Sequence, residues 1–312
     1  MPSKAKKVRV LDGSFASELS KVVPGFFEQE CPNWTFDAVI HQPKAVVKVH
    51  KSFIDAGVDD ITTNTYHASL PLLQEQGLDG RALIKKAVDL LKELLPTYHA
   101  KEGRRIWAAL GSYAINFRGQ AAEYTGSYVD SLPSDKILAV MTDFHAGQIK
   151  AVVEAGLTNI LFETVSSLLE GKAISQALSM SHCNDIKAIV SFTCKKDGTT
   201  LRHGEKFADV VQLVLTNPKV IGFGINCTDP TAVTPLLESV QSFLPVNEIF
   251  VYPNGGEHEQ SASVEDGLDV ILMSTEKWIQ LGATVIGGCC GIDADGISQI
   301  RKRVDRLQQS AE

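Results

Sequence analysis

Two kinds of apolar segment alternate along the chain. Short runs, rich in β-branched residues and apolar on both faces, occur at Val8–Leu11, Asp60–Thr63, Ile106–Leu110, Asn159–Phe162, Ala188–Phe192, Val220–Ile225, Glu248–Tyr252 and Thr284–Ile286. This pattern predicts parallel strands covered on both sides. Between them lie longer stretches in which apolar residues recur every three or four positions: Pro43–Ala56, Arg81–Leu95, Ser134–Ala155, Leu168–Met180, Lys206–Leu215, Thr231–Phe243, Val264–Leu281 and Asp295–Leu307. That spacing predicts helices with one buried face. Eight strands alternating with helices predict an α/β fold, a single-domain (β/α)8 barrel of the TIM type over residues 1–312 with its ordered core at roughly 8–308. The alternative, an open doubly wound sheet, lacks the Gly-x-Gly-x-x-Gly turn that opens a dinucleotide fold. Ser112–Leu132, after the third strand, has no apolar period. In a barrel this is the position of an active-site loop, and a solvated surface excursion explains it equally well.

Composition narrows the function. With 312 residues, 44% hydrophobic and 21% charged, the chain has material for a full core and is neither disordered nor fibrous. It has no apolar run long enough to span a membrane. The apolar stretch after the basic N-terminus, Val8–Leu11, is too short for a signal-peptide core. A net charge of −7 without a long Lys/Arg block gives no footprint for nucleic acid. Six cysteines in a chain of this size, with no secretion signal, point to a reducing, cytoplasmic setting, where clustered cysteines bind metal or do chemistry more often than they form disulfides.

A barrel gathers its chemistry where its strands end. The strand candidates here end in Asp12-Gly13-Ser14, Thr63-Asn64-Thr65-Tyr66, Gly111-Ser112-Tyr113, Glu163-Thr164, Asn226-Cys227, Pro253-Asn254-Gly255-Gly256-Glu257 and Gly287-Gly288-Cys289-Cys290-Gly291. One polar strand end means little, because strands must stop; so many on one face ask for more than turn chemistry. Cys227, Cys289 and Cys290 carry the strongest signal. Three thiolates from two strand ends can hold a zinc ion and leave its fourth position open, the mark of a catalytic site. The flanking glycines let two successive side chains reach one ion. Ordinary buried thiols, or a vicinal redox pair, are the competing readings, and Cys31, Cys183 and Cys194 are read as ordinary thiols. Asp12 and Glu163 offer charge for a substrate ammonium group, against the plainer roles of a loop cap and a rim ion pair. No His-Glu-x-x-His helix and no Gly-x-Ser-x-Gly elbow are present, so neither a zinc hydrolase of that type nor a serine hydrolase has its residues.

At these residues the sequence resembles the homocysteine S-methyltransferase family, zinc-dependent enzymes related to the betaine–homocysteine and cobalamin-dependent methionine synthases. Leu11-Asp12-Gly13, Thr63-Asn64-Thr65-Tyr66, Phe162-Glu163-Thr164, Gly224-Ile225-Asn226-Cys227-Thr228, Val251–Glu257 and Gly287–Gly291 carry the resemblance, which spans nearly the whole chain. Ser14 departs from it, standing where many members have a second glycine. The resemblance implies a barrel holding one zinc ion through Cys227, Cys289 and Cys290, with homocysteine as methyl acceptor and methionine as product. Asp12 and Glu163 would hold its amino group. Backbone N–H groups near Gly13 and Thr63, Asn64 and Thr65 would take its carboxylate, and Asn226 belongs to the same substrate-binding set. Gly111-Ser112-Tyr113 and Glu123–Tyr128 resemble the branch whose donor is a sulfonium, S-methylmethionine or S-adenosylmethionine. Trp34, Tyr66 and Tyr124 are candidates to face that cation, against ordinary packing at the barrel mouth. The chain ends soon after the last predicted helix, without the extension through which betaine-using relatives oligomerise, so a monomer acting on small molecules is expected. A betaine-dependent enzyme and a non-catalytic, thiol-rich metal-binding or redox-sensing barrel are the alternatives.

Overall fold

The computed structural model describes residues 7–95, 103–117, 121–243, 246–255 and 267–310. All eight predicted strands form: β1 (Arg9–Val10), β2 (Asp60–Thr62), β3 (Arg105–Gly111), β4 (Asn159–Val165), β5 (Lys187–Phe192), β6 (Val220–Asn226), β7 (Glu248–Tyr252) and β8 (Val285–Ile286). Every neighbouring pair is parallel, in the order β1-β8-β7-β6-β5-β4-β3-β2. A parallel bridge between Leu11 and Asp60, with Asp59 N–H donating to the Val10 carbonyl at 2.8 Å, joins β1 to β2 and closes the barrel. Closure removes the open edges that such a sheet would otherwise present.

The alternation along each strand sorts side chains into two layers. Leu11, Trp107, Leu161, Ile189, Phe250, Tyr252 and Val285 form one buried cluster within the ring of strands. Ile61, Ala108, Leu110, Ile160, Phe162, Val190, Phe223, Ile225 and Val251 belong to the larger cluster that packs on the helices. Both layers are apolar, which is why the strands read as unbroken runs rather than as alternating ones. The strands begin on charge. Asp60, fully buried, accepts from the guanidinium of Arg9 at 2.7 Å and is also paired with Arg105, which reaches Glu248 at 2.8 Å.

The predicted helices appear at Pro43–Asp55, Gly80–Leu94, Ser134–Glu154, Leu168–Met180, Phe207–Leu215, Pro230–Ser239, Gly267–Gln280 and Ala294–Gln309. The Val264–Asp266 start expected for the seventh lies outside the described residues, and Thr231–Phe243 ends its α-helix at Ser239, with a 3-10 turn at Gln241–Phe243. Three short helices were not predicted: Phe15–Val22, Asp37–His41 and Leu70–Glu75. Each is too short for its apolar period to stand out. Ser14 caps the first, its hydroxyl oxygen accepting from Ser17 N–H at 3.1 Å, and Ser69 caps the third. Ser14 has an ordinary extended backbone, so this turn does not need a second glycine. The non-periodic segment after β3 folds into 3-10 turns at Tyr113–Asn116, Ala122–Tyr124 and Ser127–Asp130. It packs Ala114, Ala122, Tyr128 and Val129 against Ile137, Met141 and Ala173 as a small core of its own. No described helix is long and apolar enough to cross a membrane.

Candidate functional site

Cys227 ends β6, and Cys289 and Cys290 follow β8. The barrel brings their three Sγ atoms within 4.8 Å of one another, Cys227 and Cys289 approaching to 2.8 Å. The edge of a tetrahedron with Zn–S bonds of about 2.3 Å is about 3.8 Å, so three sulfurs within 4.8 Å of one another need only small shifts to share one ion. Two backbone features make the convergence possible. Cys227 sits at φ +46, a left-handed conformation that costs a non-glycine residue energy and marks a constrained site. Among the flanking glycines only Gly291 has a positive φ, of +80. Gly288 is needed for close approach instead: a Cβ there would lie 2.4 Å from the Ile292 side chain.

The three thiols share charge unequally. Hydrogen bonds from Cys227 and Cys289, with Tyr124 adding to them, hold the Cys290 thiol well below its usual range. Cys227 and Cys290 push Cys289 well above its ordinary value, and Cys227 itself, against the pull of Cys289, is pushed up by Cys290 and by burial to about 12. The cluster thus carries one stabilised thiolate with two protonated neighbours. The Tyr124 hydroxyl lies 3.9 Å from Cys290 Sγ, a weak O–H···S contact in which the phenol donates; burial, and the cysteines after it, keep that phenol protonated.

Two carboxyls face the cluster across a cavity of about 870 Å³, within the range of small-molecule sites. Asp12 is buried at the end of β1. Burial pushes its pKa up to about 7, against the pull of Thr62, whose N–H and hydroxyl both donate to Oδ2 at 2.8 and 2.9 Å. Glu163, half-buried at the end of β4, is pushed up to about 8 by burial, by Asp12 and by Cys227. Tyr252 pulls it down only weakly, because its buried hydroxyl makes no hydrogen bond of ordinary geometry. Gly13 completes the first turn, where a Cβ would lie 2.3 Å from the Ile292 carbonyl oxygen.

The other sequence-predicted residues divide. Gly13, Thr63, Asn64, Asn226, Trp34, Tyr66 and Tyr124 line the cavity, and Thr65 does not. Thr65 is fully buried, its hydroxyl donating to the Ala109 carbonyl at 2.7 Å. The backbone N–H groups of Thr63 and Thr65 are engaged as well, by the carbonyls of Trp107 and Thr63. Of the backbone N–H groups near Gly13 and Thr63 to Thr65 expected to meet a substrate carboxylate, those of Thr63 and Thr65 thus already have carbonyl partners. Asn64 ties its side chain to Thr35 through two hydrogen bonds. Asn226 is a clamp: its Oδ1 accepts from Thr164 N–H at 3.0 Å and from Ser191 Oγ at 2.8 Å, and its Nδ2 donates to Thr164 Oγ1 at 2.9 Å. It holds Thr164 at φ +62, beside Glu163. Trp34, 46% exposed, stacks on Phe27 at 4.4 Å between ring centroids and has φ +50, strain of the kind found at binding sites. Cys31, read from sequence as an ordinary thiol, also lines the cavity, whereas Cys194 is buried away from it. Gly256 and Glu257 lie outside the described residues.

Thr62 and Tyr252 were not singled out in the sequence. Both are strand residues next to a marked strand end, and only the fold shows that they touch Asp12 and Glu163. Among the described residues, no lysine or arginine lines the cavity. The arrangement can therefore hold a metal on three thiolates and a cationic group on two carboxyls.

Known proteins resemble this chain over nearly its whole length. The family model for homocysteine S-methyltransferase matches residues 9–304. The chain is 32% identical to the betaine-homocysteine S-methyltransferase of Drosophila melanogaster, over 97% of this chain and 96% of the relative. It is 29% identical to homocysteine S-methyltransferase 1 of Arabidopsis thaliana, over 95% and 93% of the two chains. Among solved structures, the metallated form of the homocysteine methyltransferase MmuM from Escherichia coli superposes with a TM-score of 0.80 at 27% identity, over 95% of this chain and 96% of that one. The chain belongs to the homocysteine S-methyltransferase family.

Proposed function

We propose that the protein is a zinc-dependent methyltransferase that moves a methyl group from a sulfonium donor to homocysteine, giving methionine. The observation that carries this reading is the convergence of three cysteine sulfurs beside two carboxyls, Asp12 buried and Glu163 half-buried, in one cavity. Cys227, Cys289 and Cys290 would hold the zinc, since an all-sulfur donor set with a free position suits it. When bound there, zinc supplies the acidity that keeps the homocysteine sulfur deprotonated at neutral pH, so no general base is required. Asp12 and Glu163 take the substrate ammonium. Burial leaves Glu163 mostly and Asp12 about half protonated near neutrality, and the arriving cation favours their charged forms. Gly13 and Asn64, at the neighbouring strand ends, face the substrate carboxylate.

In the transfer the homocysteine thiolate forms the new S–CH3 bond as the donor's S–CH3 bond breaks. The bonding pair stays on the donor sulfur, which leaves as a neutral thioether. Opposite charges disappear together, so an enclosed cavity favours the step over bulk water. Trp34, Tyr66 and Tyr124 supply ring faces and edges for the sulfonium. S-methylmethionine carries a net positive charge and betaine none, and the cavity is lined by carboxyls and thiols without a described basic residue. Both facts support the sulfonium donor. The Drosophila relative keeps betaine as the second reading. A reducing compartment such as the cytoplasm fits three thiols that must stay reduced, and a single chain supplies every group named.

The test is metal analysis together with initial rates of methionine formation from homocysteine and S-methylmethionine, S-adenosylmethionine or betaine at equal concentration. About one zinc per chain is expected, lost along with turnover in Cys289→Ser and Cys290→Ser, and S-methylmethionine should outrun betaine. Betaine as the best donor would overturn the donor reading alone. Full zinc retention in both variants would overturn the ligand set, and no methionine from any donor would overturn the function.

A further inference from the structure

The segment between β5 and the helix Phe207–Leu215 folds back on itself through antiparallel bridges, Cys194 with Leu201 and Thr200 with Lys206. Its tip carries Arg202 and His203 to the far side of the thiol cluster. There Arg202 makes three contacts. Its Nη2 donates to the Cys227 carbonyl at 3.2 Å, its Nε to Thr193 Oγ1 at 3.3 Å, and its guanidinium carbon lies 5.4 Å from the centre of the Tyr124 ring. Thr193 Oγ1 also donates to the Cys227 carbonyl, at 2.8 Å. The residue following Arg202 secures the same loop: His203 faces Asp130 at 3.3 Å, and a Cβ on Gly126 would lie 2.6 Å from His203 Cβ. The hairpin therefore clasps the Ala121–Asp130 loop that carries Tyr124.

We propose that Arg202 is a positioning residue for methyl transfer, fixing both the Tyr124 ring beside Cys290 and the backbone turn that presents Cys227. The proposal rests on the methyltransferase reading above. Two effects meet in this one side chain. Cys227 is held at φ +46, a conformation the chain leaves unless its surroundings impose it, and the two donors on its carbonyl belong to those surroundings. Tyr124 reaches Cys290 Sγ only from its present place, and the guanidinium packed on the ring keeps it there. A planar cation on an aromatic face also draws electron density from the phenol, which strengthens its O–H as a donor to a thiolate. Lysine does not reproduce this, since its ammonium neither stacks nor donates along two directions in one plane.

Arg202→Met keeps the apolar stem and removes the cation. It should lower kcat/KM for the methyl donor about tenfold, within the range set by one partly buried cation–ring contact, and leave the homocysteine KM within about twofold. Tyr124→Leu should cost a similar factor, and the double variant should be no worse than Arg202→Met alone, because loss of Arg202 already releases the Tyr124 ring along with the Cys227 turn. A readout independent of turnover is the thiolate-to-metal charge-transfer band of the cobalt-substituted protein, which should shift in Arg202→Met in the same direction as in Tyr124→Phe. Parent-like kcat/KM in Arg202→Met, multiplicative losses in the double variant, or an unshifted cobalt band overturns the proposal. If Arg202→Met does not fold, Arg202→Lys is measured in the same way; parent-like rates there overturn it too. A parent protein that makes no methionine from any donor would instead sink the methyltransferase reading, and the cobalt spectra would still decide whether Arg202 and Tyr124 are coupled.

Discussion

At the scale of single residues, the site is governed by what burial does to charge. Asp12 and Glu163 are pushed up to about 7 and about 8, so near neutrality the two carboxyls of the empty site are only partly ionised, Glu163 less than Asp12. Binding of an ammonium needs the carboxylates, and homocysteine affinity should therefore rise from pH 6 to pH 8.5. The stability sign runs the other way. Folded pKa values above the ordinary 3.8 and 4.5 mean that their contribution to stability is full below about pH 4 and is lost as pH rises through 7 to 8. Glu163→Gln should weaken homocysteine by about 1.5–3 kcal/mol, the range for a hydrogen bond to a charged group, and should flatten the pH dependence. Calorimetric titration across this range checks both, and a flat profile in the parent protein would return the two acids to structural roles. The thiols give a second pH effect. Cys290 is already the thiolate while Cys227 and Cys289 keep their protons. Zinc uptake near pH 7 should therefore release about two protons per metal, measurable from the buffer dependence of the binding enthalpy. Release of none would contradict this thiol assignment.

At the scale of elements, the two ends of the strands do different work. Their C-terminal ends carry the strained turns at Thr164 and Cys227, and Asn226 bridges them by hydrogen bonds from β6 to β4. Their N-terminal ends carry the Arg9–Asp60–Arg105–Glu248 network. Asp60 is fully buried, and its loss leaves two guanidinium groups without their shared carboxylate. Asp60→Ala should cost about 3 kcal/mol in unfolding free energy, near the low end of the range for breaking a buried pair because both arginines are partly exposed. Its zinc content should stay at the parental level. A cost under about 1 kcal/mol by denaturant titration would show that the arginines find other partners or water.

At the scale of the whole molecule, the active end is built by loops that have cores of their own. The loop after β3 is pinned below by Tyr128, whose hydroxyl meets Ser166 Oγ at 2.9 Å and also bonds Glu170, which in turn faces His145 at 3.0 Å. It is clasped from the side by the hairpin after β5. This fixes Tyr124, Glu123 and Ala121 as cavity wall. The cavity of about 870 Å³ is roomy enough that size alone does not discriminate against a nucleoside-bearing donor. Selection among methyl donors would fall to wall chemistry rather than to volume.

The sequence by itself determined the barrel and marked the three cysteines that the fold brings together. Eight apolar runs separated by helical periods have few ways to bury both faces, and a Gly-Gly-Cys-Cys-Gly turn is poor core material, so both signals are local and survive without coordinates. It also marked Asp12 and Glu163, because strand ends are readable as places where apolar runs stop on a charge. Other features were decided only by the tertiary structure. Thr63 and Thr65 look like open donors in sequence, and only the neighbouring strand shows their N–H groups and hydroxyls already engaged. Asn226 lines the cavity and is also a clamp between β6 and β4; Cys31 looks remote and lines the cavity. Arg202 lies 25 residues from the carbonyl it holds and 78 from the ring it packs on, as the numbering gives. Spacing along the chain carries no record of such contacts, because they depend on how the twist and stagger of the strands bring loop to loop.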